Sequence, residues 1–263
     1  MKIHNPIDTD SMEAHWADIN KERHRERGFF KRTSAADAIF QQICDQFFLG
    51  TPKRRVFEIG CAPGRKLARF AERYSAIPYG VEYTQQGVAT AQKIIRALGF
   101  SEDHIFFSDV FDKGFQARLS NTFDVVMSFG FIEHFNDLEP VIDAHVAFLK
   151  KDGFLLVMIP NLRGIYTPLL KFFAPRLLDI HNLSIMSLPH FSRLFVRPDI
   201  EPVFCGYYGV FNLGMLQADG RWKRIFLTIL QACQSLGNFF LVRCHRWENK
   251  YTSPYLLFIG KKK

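Results

Sequence analysis

Ten residues constrain this chain more than any others: Arg55-Val56-Phe57-Glu58-Ile59-Gly60-Cys61-Ala62-Pro63-Gly64. Val56 to Ile59 is a short, mostly apolar run of strand-favouring residues, and two glycines and a proline break it. A helical pattern follows through Arg65-Lys66-Leu67-Ala68-Arg69-Phe70-Ala71. Strand, glycine turn and helix in that order make a nucleotide-shaped socket. Glycine lets the backbone bend sharply and approach a ligand with no Cβ in the way. The helix start offers free N–H groups to polar ligand atoms.

Two familiar phosphate signatures fail at this turn. The dinucleotide fingerprint G-x-G-x-x-G needs glycine at 60, 62 and 65, but 62 is Ala and 65 is Arg, which argues against nicotinamide and flavin. The Walker pattern fails too, because no Gly-Lys-Ser/Thr follows. What VFEIGCAPG resembles is motif I of the class I S-adenosylmethionine (SAM)-dependent methyltransferases, apolar-apolar-acid-apolar-Gly-x-Gly-x-Gly, with Ala62 in the middle glycine slot. The resemblance implies that Glu58, Gly60, Cys61, Ala62 and Gly64 line a SAM site. Ala62 adds one methyl group, which can restrict how closely the cofactor packs.

The following segments repeat the strand–helix unit. Tyr79-Gly80-Val81-Glu82-Tyr83 reads as a second strand, and Glu82 stands 22 positions after Gly60, the length of one strand–helix–strand unit. A carboxylate there can accept hydrogen bonds from both ribose hydroxyls of an adenosine, with Tyr83 beside it. Gln85 to Leu98 reads as a helix closed by Gly99 as a left-handed cap. His104 to Val110 reads as a third strand ending in an acid. In the resembled family that acid contacts the adenine amino group, which makes Asp109 the adenine reader, next to Val110, with Asp112 as a substitute.

Thr122 to Phe135 is the fourth strand and its exit loop. Phe123-Asp124-Val125-Val126-Met127-Ser128, followed by Ile132-Glu133-His134-Phe135, resembles motif IV of the small-molecule members. That implies backbone at Ser128 and Phe129 along the methionine end of SAM, over a floor kept open by Gly130. A helix over Val141 to Leu149, a turn at Lys150 to Gly153 and a strand over Phe154 to Asn161 follow. Units in series predict an α/β fold: a doubly wound, mostly parallel seven-stranded sheet with helices on both faces and an antiparallel last strand. Ligands bind at the carboxyl ends of such strands, where Gly60, Glu82, Asp109 and Ser128 fall.

Past 162 the pattern loosens into short helices over Tyr166 to Leu178 and Leu188 to Phe195, a sixth strand over Glu201 to Tyr207, and a last strand over Ser253 to Gly260 before a lysine tail. The expected organisation is an N-terminal helical cap (1–50), a SAM-binding core (51–161), an acceptor-pocket insertion (162–200) and a segment completing the core (201–263). The basic run from Lys21 to Arg32 carries interleaved glutamates, as a solvated helix face does. The same arm could close over the site through Trp16 or Phe29-Phe30. Residues 225–242 are mostly apolar with polar residues at helical spacing, too polar for a comfortable membrane span. They suit a packed helix, or a surface helix resting on lipid between Arg221, Lys223, Arg224, Arg243 and Arg246.

Five scattered cysteines without C-x-x-C pairing argue for a reducing compartment and against structural zinc, and no metal centre is expected. The first eight residues lack the apolar stretch of a signal peptide, so the expected location is cytoplasmic, with peripheral membrane contact through 221–246 as an option. The formal charge of +8 admits an acidic partner but does not require one. The 28 phenylalanines suggest a thick aromatic core, an apolar substrate cavity, or both.

The resemblance implies methyl transfer from SAM, leaving S-adenosylhomocysteine, to a small-molecule, glycan or lipid-linked acceptor, at oxygen rather than nitrogen. Amino-directed base methylation is disfavoured, because no Asp/Asn-Pro-Pro-Tyr segment follows the fourth strand, and no Pro-Cys pair supports cytosine-5 chemistry. Aminopropyl transfer would need paired acids that Glu133-His134 does not supply. RNA ribose methylation, or a non-catalytic protein that senses SAM or its product, stays open. The candidate general bases are His134, which leaves the fourth strand near the methyl end, then His181 and His190 in the insertion, with Tyr166 weaker.

Overall fold

Apolar runs flanked by helical patterns become parallel strands when helices cover both faces of their sheet. The computed structural model describes residues 35–50, 54–241 and 248–263. Its strands are β1 (Arg55–Ile59), β2 (Ile77–Glu82), β3 (Ile105–Phe107), β4 (Phe123–Phe129), β5 (Leu149–Pro160), β6 (Ile200–Tyr208) and β7 (Tyr255–Lys262). They form one sheet in the order β3-β2-β1-β4-β5-β7-β6, with β7 antiparallel to both neighbours and β1 to β5 parallel. The expected fold class is therefore observed. From β1 the chain winds outward to β3, then crosses back to β4 on the other side of β1. That reversal puts the crevice for a ligand at the carboxyl ends of β1 and β4.

Side-chain alternation along the central strands feeds two cores. Val56, Val125, Met127 and Leu156 face α1 (Ala35–Phe48), α2 (Arg65–Arg73) and α3 (Gln85–Ala97), where Phe40, Phe48, Leu67, Phe70 and Ile95 pack. Phe57, Ile59, Val126 and Leu155 face the opposite way, toward α4 (Lys113–Leu119) and α5 (Glu139–Phe148). The insertion joins this second core through α6 (Tyr166–Phe173), α7 (Arg176–Asp179) and α8 (Leu188–Arg193), contributing Leu170, Phe173, Leu177, Phe191 and Phe195. Phenylalanines dominate both sides. Phe57 stacks on Phe123 at 4.4 Å between centroids, Phe195 stacks on Phe258 at 3.8 Å, and Phe48 meets Phe70 and Phe154 edge-on at 5.3 Å each. Such pairs add about 0.5–1.5 kcal/mol each beyond the area they bury.

Several boundaries differ from expectation for identifiable reasons. α4 was not anticipated: the Asp112 carboxylate caps it, accepting from the Phe115 amide at 2.7 Å. Asp112 thus serves as a helix cap. The third strand is three residues long, since it pairs only with β2 and a 3₁₀ turn at Glu102–His104 precedes it. β5 begins at Leu149, the last residue of the expected helix, and runs through the expected turn; there Lys150 pairs with Asp124 at 2.9 Å and Asp152 with Lys261 at 2.7 Å. The helix expected over Tyr166 to Leu178 breaks at Ala174-Pro175, where proline cannot donate an amide bond.

Two of the three lysines read as a tail, Lys261 and Lys262, are strand residues. Lys262 Nζ donates to Asn121 Oδ1 and to the carbonyls of Val146 and Leu149 at 2.8–3.0 Å, closing the end of the sheet. The N-terminal basic run, Trp16, Phe29-Phe30, Arg243 and Arg246 lie outside the described residues. The described part of the first segment, α1, covers the sheet through Phe40 and Phe48 and ties to α2 by ion pairs from Asp37 to Lys66 (2.7 Å) and Arg69 (3.0 Å).

Candidate functional site

The turn after β1 is built as its glycines demand. Gly60 has φ +67°, and a Cβ there would sit 2.9 Å from the Phe131 ring. Gly64 has φ +92° and opens α2 at a point where a Cβ would press on the Ala91 backbone at 3.1 Å. L-residues with side chains resist both conformations. The amides of Gly60 and Cys61 both donate to the Val81 carbonyl, at 3.0 and 3.2 Å, which holds the turn against the end of β2. Cys61 is buried with its sulfur against Gly80, so its side chain is turned into the fold. Its thiol is pushed well above the usual range by burial and by the charges of Glu58 and Glu82. Ala62 is half-buried at the apex.

Glu58 is the unusual residue of this turn. It is 3% exposed on β1, and its Oε2 has no hydrogen-bond partner among the described residues. Burial drives its carboxyl up to about 8, against the pull of Lys66 and the Leu67 amide, with Glu82 adding to the rise. A buried carboxylate oxygen without a donor is costly, and it suits a ligand that brings positive charge.

Glu82 ends β2 already oriented. Its Oε1 accepts from the Thr84 amide (3.0 Å) and hydroxyl (2.8 Å), while Thr84 caps α3 by accepting from the Gly87 amide. That leaves Oε2 to meet ligand hydroxyls. Tyr83 stands beyond the strand at 47% exposure. Asp109 is exposed two residues past β3, with Oδ1 accepting from the Phe111 amide at 2.9 Å, and Val110 beside it is buried. The Ser108 amide donates to the Glu82 carbonyl at 3.2 Å, so the Asp109 loop runs alongside the carboxylate of β2.

At the exit of β4 the Ser128 side chain faces inward. His145 Nδ1 lies 2.7 Å from the Val141 carbonyl, which can only accept, so Nδ1 carries the proton and Nε2 accepts from Ser128 Oγ at 2.9 Å. Burial lowers this histidine to about 4 and keeps it neutral. Ser128 therefore offers only backbone to the crevice. Phe129 is half-buried, edge-on to Phe40 at 5.4 Å and under Lys66 Nζ at 5.6 Å.

Beyond Gly130 the loop turns back over the site: Phe131 covers Gly60, and Gly130 abuts Glu133 Oε1, which lies 3.3 Å from the place of a Cβ. Glu133 is 1% exposed, its Oε2 has no partner among the described residues, and burial raises its carboxyl to about 8. His134 is buried beside it, and its Nδ1 lies 3.0 Å from the Ile180 carbonyl. His181 arrives from the insertion with Nδ1 2.5 Å from the Leu177 carbonyl, its ring 4.5 Å from that of His134. The Asn182 amide donates to the Glu133 carbonyl at 2.6 Å, and Asn182 Nδ2 to that of Phe135 at 3.1 Å.

The structure thus unites two of the three candidate histidines. His190 sits exposed on α8, its Nδ1 2.8 Å from Ser187 Oγ, outside the cluster. Tyr166 is a structural tie: it is buried, its hydroxyl donates to the Thr252 carbonyl and accepts from the Asn212 amide, and burial raises its pKa. Sequence reasoning passed over Glu133 as a group in its own right. An acid enclosed by Phe131, Ile132 and Phe135 was the available signal.

A profile of the family described as "Methyltransferase domain" matches residues 23–198. The chain belongs to this family. No curated protein matches it. Among solved structures it is similar to the MccD protein at 13% identity and TM-score 0.58, over 84% of this chain and 96% of that one. It is also similar to geranyl diphosphate C-methyltransferase from Streptomyces coelicolor A3(2), at 14% and 0.54 over 85% and 79%. A third is a possible histamine N-methyltransferase from Thermotoga maritima, at 16% and 0.52 over 81% and 84%. These likenesses are of fold. This methyltransferase is of class I and its cofactor is SAM. The residues present fit that group: an orphaned buried carboxylate at Glu58, a turn at Gly60 that a Cβ would fill, and a pre-oriented acid at Glu82.

Proposed function

We propose that this methyltransferase acts on a hydroxyl-bearing small molecule, a class in which we include glycans and lipid-linked alcohols. Glu58 and the turn from Gly60 to Gly64, with Cys61 and Ala62 between, would hold the methionine end of the cofactor together with backbone at Ser128 and Phe129. Glu82 would take the ribose hydroxyls, and Asp109, flanked by Val110 and Tyr83, the adenine. SAM supplies an activated methyl on a sulfonium, so the protein's part is to bind, orient and exclude water.

The observation that carries the acceptor assignment is the grouping of Glu133, His134 and His181 at the exit of β4. A hydroxyl must give up its proton as it attacks, and a positioned base contributes about 10²–10⁴-fold. With both Nδ1–H groups donating to backbone carbonyls, Nε2 is the basic nitrogen of each ring. The acceptor oxygen must also lie in line, roughly 3–3.5 Å from the methyl, and Phe131 and Phe135 supply an apolar wall beside the cluster. Labelled SAM, a panel of alcohols and amines, and the His134→Ala and His181→Ala variants test this reading. Turnover should fall by about 10²-fold or more with SAM affinity kept. Unchanged turnover in both variants, or transfer confined to amines, overturns it. A protein that binds SAM and transfers nothing to any acceptor is a sensor.

One feature favours a lipid-linked acceptor within this class. On α9 (Arg221–Leu241) the inner face carries Leu227 and two glutamines: Gln234 accepts from the Leu213 amide at 2.7 Å, and Gln231 donates to the Leu213 carbonyl at 3.0 Å. These two glutamines thus point into the protein, and Trp222, Ile225, Phe226 and Ile229 line the exposed side at helical spacing beside Arg221 and Arg224. That is the pattern of a helix lying on an anionic surface. Among the described residues no helix is long and apolar enough to cross a membrane. Flotation with anionic vesicles should carry the protein, and Ile225→Asp with Ile229→Asp should release it. Protein that stays behind in both forms ends this reading.

A further inference from the structure

We propose that Glu133, His134 and His181 form a binding site for a divalent first-row transition-metal ion. One nitrogen from each ring and a carboxylate oxygen all lie within 4.8 Å of one another. Tetrahedral zinc with bonds of about 2.0–2.1 Å spaces its ligands roughly 3.4 Å apart, so binding needs a contraction of up to about 1.4 Å, within reach of side-chain torsions. This departs from the sequence-based expectation of no metal centre. His181 follows His134 by 47 residues, and no local spacing announces the pair.

Three independent features point to a cation. Each ring donates its Nδ1 proton to a backbone carbonyl, Ile180 for His134 and Leu177 for His181. That second bond is the one that orients metal-bound histidine and sets its tautomer, here making Nε2 the basic nitrogen of each ring. Next, Glu133 Oε2 is buried with no partner among the described residues, and a positive ion beside it would remove that cost. Finally, the scaffold is set beforehand: Asn182 bonds the carbonyls of Glu133 and Phe135, locking the ligand from the insertion to the two from the β4 exit.

The donor set selects the ion. Imidazole nitrogens suit zinc, iron, cobalt, nickel or copper, whereas magnesium and calcium call for oxygen. Three protein ligands leave a position open, as catalytic rather than structural sites do. Glu133 and His134 are buried and His181 is half-buried, so the His181 side is the entrance. Taking from the preceding section only that this end meets the acceptor, the open position would bind the acceptor's oxygen and make its proton easier to lose.

Chelator-treated full-length protein, without SAM or acceptor, is titrated with Zn²⁺ by calorimetry and with Co²⁺ by visible absorption. The site should take up one equivalent with Kd at or below the micromolar range and give the d–d bands of a nitrogen–oxygen Co²⁺ site. Glu133→Gln and His181→Ala should each weaken uptake by about 100-fold or more. Both are checked for folding by circular dichroism, and His181 is half-buried, so His181→Ala keeps the test valid should the other variant fail to fold. Absence of both zinc heat and cobalt bands in folded wild-type protein overturns the proposal, as does binding undiminished in His181→Ala. Metal uptake without methyl transfer would uphold the site and refute the acceptor reading instead.

Discussion

Two glutamates, one at each end of the crevice, are alike in isolation and opposite in surroundings. Glu58 and Glu133 are both buried, both leave Oε2 without a partner among the described residues, and both are driven to about 8 by burial. Glu58 stands on β1 within reach of the Lys66 charge and the Leu67 amide, eight and nine residues along the same strand–turn–helix. Glu133 is relieved only by its own backbone N–H, and its titratable neighbours include a histidine from the insertion. The proposed cofactor end is therefore assembled from one local unit. The proposed acceptor end exists only when two distant segments meet.

The largest effect is the pH dependence of stability, which both glutamates share and mutation can divide between the two ends. For Glu58 the folded-state pKa lies above that of the unfolded chain. Its contribution to stability is thus fully present below about 4.5 and is lost as pH rises through about 8, on the order of 4 kcal/mol. Chemical denaturation of ligand-free protein from pH 5 to 9 should show this decline together with a like one from Glu133, and Glu58→Gln should remove about half of the total. An unaltered slope in the variant would remove Glu58 from the comparison.

Next comes Glu82, proposed to hold the ribose. Glu82→Ala removes a charged acceptor worth about 1.5–3 kcal/mol per bond, so calorimetry should find SAM bound roughly 10–150-fold more weakly. Glu133→Gln should leave SAM affinity within about threefold, because the glutamate belongs to the other end. Equal losses in the two variants would break the division between the ends.

Asp109 is exposed and already holds the Phe111 amide. Asp109→Ala should therefore cost SAM binding only about 0.5–1.5 kcal/mol, some two- to tenfold. A loss matching that of Glu82→Ala would show that the loop closes over adenine more fully than its exposure indicates. The smallest effect belongs to His190, which is exposed and touches Ser187. His190→Ala should change turnover by less than about twofold in a methyl-transfer assay, and a large loss would bring α8 into the acceptor site.

Much of the cofactor end was legible because its spacing is local. Glycines at 60 and 64 adopt the positive φ that their turn requires, Gly99 caps α3 at φ +81°, and Glu82 ends β2 one unit later. A short separation along the chain becomes a short separation in space whenever one strand, one helix and the next strand pack together. Side-chain direction was less legible. Ser128 falls where expected on β4, but its hydroxyl serves His145 inside the protein, and the glutamines of α9 face inward while its aromatics face out. Periodicity marks a helix and its two faces, and only packing shows which face is covered.

From sequence alone came the order of the strands and of the helices other than α4, the family resemblance, and the carboxylates at the ends of β1 and β2, all consequences of backbone preference and apolar pattern over short stretches of chain. Tertiary structure decided that Lys262 closes the sheet at Asn121, and that His134 meets His181 while His190 stands apart. Those contacts join residues far apart in the chain. They arise when the insertion buries its phenylalanines in the core beneath β4 and β5, and no local rule specifies which side chains that burial brings together.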